Sequence, residues 1–130
     1  YGYIGRTMLS HEVTAVTAAA MLVRSDVFHE IGGFDEKELT VAYNDVDLCL
    51  KIRDAGYRII FSAEVVAYHH ESLSRGSDDR PEHEARFFHE TQTMLARWSD
   101  NPLFERDPSY PRYFTVDQQP FFDLVDPETL

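Results

Sequence analysis

A chain of 130 residues is the size of one ordinary domain, long enough for a single core. Its hydrophobic share of 43% and charged share of 27% are those of a soluble globular protein, not a disordered one. The net charge of -11, from 12 basic and 23 acidic residues, argues against nucleic acid as a partner, because phosphate neutralisation needs a basic face.

The first element is a compact apolar run from Val13 to Arg24. Its β-branched Val13, Thr14, Val16 and Thr17 favour a buried strand for part of it, while Ala18, Ala19 and Ala20 leave a helix open. Ser25 is placed to N-cap a short helix through Asp26 to Ile31, and Gly32-Gly33 ends it. Phe34-Asp35-Glu36 then enters a polar loop. Asn44 reads as the N-cap of a second helix, with Asp45 and Asp47 in its first turn, where the helix dipole favours negative charge. This helix is expected to run to Ala55 and to stop at Gly56. Its apolar residues form two stripes, Val46 with Cys49 and Leu50, and Leu48 with Ile52 and Ala55. That breadth calls for packing on more than one side.

Tyr57 to Tyr68 is strand material, through Ile59-Ile60-Phe61 and then Val65-Val66-Ala67-Tyr68. A loop rich in Ser, Gly and Asp follows, from Glu71 to Arg80. Pro81 can open the next helix, which runs through Phe87, Phe88, Thr91, Met94, Leu95 and Trp98 with the spacing of a core or interface helix. After Ser99, prolines at 102, 108, 111, 120 and 127 make helix improbable and predict an extended, aromatic-rich tail. There is no internal repeat. Helix and strand alternate as in an α/β or α+β unit, with residues 1–100 as the domain and 101–130 as a tail packed on it.

Two segments stand out for chemistry. Asp45 and Asp47 are two apart, so on a helix they point in different directions and only one can face a given site. Asp47, at the third helical position, is the better capping residue. Asp45, at the tip, is freer to face a ligand and to take a proton from a sugar hydroxyl. Both acids could also do no more than complement the helix N-terminus. In the second segment, His69 and His70 close a strand and point to opposite faces, so one at most enters a cleft. Ser72, Ser74, Arg75 and Gly76 follow and could form an anion-binding loop, with Arg75 supplying paired donors.

Other chemistries lack their motifs. His-Glu pairs begin at positions 11, 29, 70, 83 and 89, but none extends to the His-Glu-x-x-His of zinc peptidases. There is no Gly-x-Gly-x-x-Gly and no P-loop. Cys49 is the single cysteine, which forbids an intrachain disulfide and favours a reducing compartment. No apolar run approaches a membrane span.

The series Thr14-Ala15-Val16-Thr17-Ala18-Ala19, Met21-Leu22-Val23-Arg24, Ile31-Gly32-Gly33-Phe34-Asp35-Glu36, Asn44-Asp45-Val46-Asp47-Leu48-Cys49-Leu50, Ala55-Gly56-Tyr57-Arg58 and Tyr68-His69-His70-Glu71-Ser72 resembles the second half of the family 2 glycosyltransferases. It is most similar to the bacterial rhamnosyltransferase-like members that build cell-surface polysaccharides, and the resemblance covers roughly residues 13 to 80. It implies the acceptor-side part of a GT-A, Rossmann-like α/β fold. It also implies an inverting transfer from a nucleotide-diphosphate sugar to a saccharide or lipid-linked acceptor.

The acid motif of that family corresponds to Asn44-Asp45, so the resemblance implies that Asp45 would be the catalytic base, with Asn44 in place of the commoner Glu. His69 is the counterpart of the family's metal-side histidine, His70 less so, and Mg or Mn is the expected metal. Ser74 and Arg75 would approach the donor diphosphate, and Gly33, Phe34 and Asp35 would shape the acceptor side. Ala18 stands where many members have Gly. The N-terminal half of the family, with its Asp-x-Asp metal site, has no counterpart here. A fragment of a longer, cytoplasmic enzyme is therefore expected, inactive alone, working free or at the inner face of the membrane, and prone to pair with itself. The other reading is a non-catalytic carbohydrate-binding or assembly module of the same fold.

Overall fold

The computed structural model describes residues 3–69, 81–105 and 107–114. A 3₁₀ turn (Tyr3–Met8) leads into β1 (His11–Val13), and a second 3₁₀ turn (Ala18–Ala20) leads into α1 (Ser25–Glu30). Then come α2 (Asn44–Asp54), β2 (Ile59–Phe61), α3 (Pro81–Trp98) and α4 (Pro102–Glu105). β1 and β2 pair antiparallel, with His11 opposite Phe61, Glu12 opposite Ile60 and Val13 opposite Ile59.

A two-stranded ladder is marginal by itself and needs a helix against it. α2 supplies that helix: Leu48, Cys49 and Ile52 pack with Val13, Ile59 and Val27 in one buried cluster. On its other side Leu50 joins Leu39, Met94 and Trp98 in a second cluster, with Tyr43 and Val46 against it. The two-sided packing expected of α2 is therefore present, although Cys49 belongs with Leu48 and Ile52 rather than with Leu50. Arg53 ties the helix to β1, donating to Glu12 Oε1 at 3.0 Å and to the Val13 carbonyl at 3.1 Å.

Both α1 and α2 end as glycine predicts. At α2 the N–H of Gly56 donates to Arg53 O (2.9 Å) and that of Tyr57 to Ile52 O (3.1 Å), with Gly56 at φ 86°. At α1 the same pair of bonds runs from Gly32 to His29 O (3.2 Å) and from Gly33 to Phe28 O (2.9 Å). Gly33 has a second reason to be glycine. A Cβ there would lie 2.9 Å from the Phe28 ring.

Several expectations are corrected. The strand expected within 13–24 is His11–Val13, because Thr14 gives its N–H to Asp107 Oδ2 (2.6 Å) instead of to a neighbouring strand. Thr17 then caps the second 3₁₀ turn through its side chain, which accepts from Ala19 N–H at 3.3 Å. β2 stops at Phe61, and Val65, Val66 and Tyr68 are exposed rather than laddered. Ser25 begins α1 instead of capping it; Arg24 holds the cap position. The cap position of α2 belongs to Tyr43, with Asn44 as the first helical residue. Helix reappears beyond Ser99, because Pro102 stands first in α4, where its missing N–H costs no hydrogen bond.

Candidate functional site

Tyr43 is the one non-glycine residue with positive φ among the described residues, at φ 62° and ψ 0°. A β-carbon makes this left-handed conformation unfavourable, so its neighbours must hold it there. α2 emerges directly from it, the first helical bond running from Asp47 N–H to Tyr43 O at 2.8 Å.

The two acids of this turn part company as their spacing requires. Asp45 is half-buried; its Oδ2 accepts from Ala18 N–H at 3.1 Å and its Oδ1 from Val46 N–H at 2.9 Å. It forms no ion pair among the described residues. Asp47 points the other way and is fully buried. Its Oδ1 accepts from the Trp98 indole (2.9 Å) and from Arg97 Nη1 (2.7 Å), and Lys51 Nζ lies 2.8 Å from Oδ2. Burial works against the charge, yet the bonds from Lys51, Trp98 and Arg97 outweigh it and hold the carboxyl below its ordinary range. Asp47 is thus not the capping residue expected from its position but the centre of a buried charge network.

Arg97 extends that network to the Gly-Gly-Phe-Asp turn. Its Nη2 donates to Asp35 Oδ2 at 2.9 Å, while Asp35 Oδ1 accepts from the N–H groups of Lys37 and Glu38, each at 3.0 Å. The Glu38 N–H, Arg97 and the Lys37 N–H together hold the Asp35 carboxyl well below the usual range. The Asp35 side chain is therefore engaged in fixing its own turn. Phe34 beside it meets Phe28 edge-on, ring centroids 5.7 Å apart. It also walls an apolar cleft of about 220 Å³ with Ala18, Met21, Val23, Phe28 and Leu48. The Ala18 that lines this cleft is the residue whose N–H Asp45 holds. The structure thus brings Asp45, Phe34 and, through Phe28, Gly33 into one neighbourhood, with half-buried Asn44 beside Asp45.

Glu90 on α3 was not foreseen as part of this region. Its carboxylate is 1% exposed and accepts from the Thr40 hydroxyl (2.9 Å), Val41 N–H (3.0 Å) and Ala42 N–H (2.9 Å). The sequence does carry a signal: Glu90 lies three residues after Phe87 and four before Met94, on the stripe that should be apolar.

His69 is exposed. Among the described residues no three His, Cys, Asp or Glu side chains converge as a metal site would require. His70, Ser74 and Arg75 lie outside the described residues.

With this geometry in view, the chain aligns with an uncharacterized protein, y4gI, of Sinorhizobium fredii, at 42% identity over 120 residues. The alignment takes in 92% of this chain and 13% of that protein. It is also 38% identical over 78 residues to the O-antigen biosynthesis protein RfbC of Myxococcus xanthus, covering 60% of this chain and 6% of that protein. The chain thus spans a small part of the length of either relative. No protein-family model matches it, and no solved structure does. Among the described residues no helix is long and apolar enough to cross a membrane.

Proposed function

We propose that this chain is part of an inverting glycosyltransferase of cell-surface polysaccharide assembly, with Asp45 as its general base. The observation that carries the reading is the state of Asp45. Its carboxylate sits at the tip of α2, held by two backbone N–H groups and neutralised by no cation among the described residues. A carboxylate so placed is fixed in direction yet keeps lone pairs for an incoming hydroxyl. Its neighbour Asp47 is sealed in the core, out of reach of an acceptor.

In the proposed reaction the acceptor hydroxyl loses its proton to Asp45 as its oxygen bonds to the anomeric carbon of the donor. The bond from that carbon to the diphosphate oxygen breaks, and its electron pair leaves with the nucleoside diphosphate. One displacement inverts the anomeric centre. Gly33, Phe34 and Asn44 would border the acceptor; Ser74, Arg75 and a divalent metal near His69 would belong to the donor side. The likeness to the Myxococcus xanthus O-antigen biosynthesis protein supports the polysaccharide setting, and the ordered motifs from residues 13 to 80 support the transfer chemistry.

The test uses the full-length protein with a panel of radiolabelled UDP-, GDP- and dTDP-sugars, following binding and transfer separately. Asp45→Asn is expected to lower kcat by about 10²–10⁴-fold while donor affinity stays within about twofold. Turnover near the wild-type rate in that variant would remove Asp45 from the chemistry.

A further inference from the structure

We propose that Glu90 is the positioning residue for Asp45: from the buried face of α3 its carboxylate fixes the turn out of which α2 and its acidic tip emerge. Three donors from consecutive residues, Thr40, Val41 and Ala42, converge on its two oxygens. The next residue is Tyr43, held in the left-handed conformation that starts α2. The same face of α3 grips Tyr43 itself. Its ring lies 5.5 Å from that of Phe87 between centroids, and its hydroxyl is 3.3 Å from Thr91 Oγ1. Phe87, Glu90, Thr91 and Met94 follow helical spacing, so one stripe supplies every one of these contacts.

The far side of Asp45 is anchored to the same helix, because Asp47 is bound by Arg97 and Trp98 at the end of α3. Asp45 therefore sits between two anchors on one rigid element, and its one long-range hydrogen bond among the described residues goes to Ala18 N–H.

A carboxylate, not merely a polar group, suits the task. Two oxygens that only accept meet three donors, whereas a glutamine would set its NH₂ against a backbone N–H. Burial opposes the charge, but the bonds from Ala42 N–H, Thr40 and Val41 N–H, with Arg86 Nε 3.9 Å from Oε2, hold it below the usual carboxylate range. An ionised group buried on this stripe is costly, and an aliphatic residue would fill the space without that cost. What Glu90 adds is direction for the backbone leading to Asp45.

The consequence for catalysis rests on the proposed transferase reading, but the positioning itself is measured without it. Ala18 N–H reports where the Asp45 carboxylate stands, so its hydrogen–deuterium exchange is followed at single-amide resolution in the full-length protein. Asp45→Ala sets the fully released rate. Glu90→Gln is expected to speed exchange at Val41 and Ala42 and, through the displaced tip of α2, at Ala18 by about fivefold or more, with β1 and β2 unchanged. Thr40→Val, which removes one of the three donors and leaves the carboxylate, should shift Ala18 in the same direction by about twofold, and it serves where Glu90→Gln does not fold. Acceleration confined to Val41 and Ala42, or a uniform acceleration of all amides, would overturn the proposal. If Asp45→Asn retains turnover while Ala18 responds to Glu90→Gln, the positioning stands and the transferase assignment is what fails.

Discussion

The Trp98 indole N–H donates to Asp47 Oδ1 over 2.9 Å in a fully buried setting, joining residues 51 apart in the chain. An ionised carboxylate in a core is tolerable only when it is paired, and here Arg97 and Lys51 supply the opposite charge. Removing the charge strands two cations around an amide. Asp47→Asn is therefore expected to cost about 3 kcal/mol, the lower end of the range for breaking a buried pair, since Trp98 can still donate to the amide oxygen. Urea unfolding checks this directly, and Trp98, the single tryptophan, is its own fluorescent reporter. An unchanged midpoint would mean that the network contributes nothing net.

This network and the separately held Glu90 shape how the fold responds to acid. Asp35, Asp47 and Glu90 all titrate below their ordinary range in the folded chain. In the window between the folded and unfolded values, the unfolded chain binds more protons, so stability rises with pH there. Their contribution is fully present above the unfolded carboxylate values of about 4 and is lost as pH falls below them through the folded values. Unfolding free energy measured against pH should be nearly flat from about pH 5 to 7 and drop steeply below about pH 4. Arg97→Met, which frees both Asp35 and Asp47 from one guanidinium, should make that acid limb shallower.

How much of this was legible in the sequence follows from which interactions are local. α2 was bounded to within a residue because glycine at its end and apolar periodicity along it are local signals. The divergence of Asp45 and Asp47 also follows from helix geometry alone. What each acid does next depends on partners 27 to 51 residues away, Ala18 for Asp45 and Trp98 for Asp47, and spacing says nothing about these. Tyr43 carried no signal, because its left-handed turn is imposed by α3 and not preferred by tyrosine. The strand expected after Val13 was lost to Asp107, which captures the Thr14 N–H from the far end of the chain.

The paired glycines after α1 offer a graded test of backbone strain. Both have positive φ, 81° at Gly32 and 66° at Gly33, so alanine at either carries the left-handed cost of about 1–2 kcal/mol. Gly32 has nothing within 4 Å of an added Cβ, while at Gly33 the Phe28 ring stands 2.9 Å away. Gly33→Ala should therefore add an overpacking cost of about 1–3 kcal/mol that Gly32→Ala does not. Phe28 and Phe34 both border the apolar cleft, so the displaced ring should also change binding of any ligand seated there. Equal destabilisation by the two substitutions would show that the Phe28 contact yields freely.

Asp45 and Asp47 should separate completely when stability and activity are measured on the same pair of variants. Asp45 contributes to the fold through the helix dipole and the bonds from Ala18 N–H and Val46 N–H, and an asparagine oxygen can still accept one of them. Asp45→Asn is thus expected to cost less than about 1 kcal/mol. Its effect on transfer is expected to be near-complete, because an amide cannot take the proton. Asp47→Asn reverses the order, lowering the unfolding midpoint while the protein that remains folded keeps most of its kcat, because Trp98 can still donate to the amide oxygen and hold that side of Asp45. Chemical denaturation alongside initial-rate measurements on full-length protein gives all four values. A destabilised Asp45→Asn, or an inactive but stable Asp47→Asn, would exchange the roles assigned to the two acids.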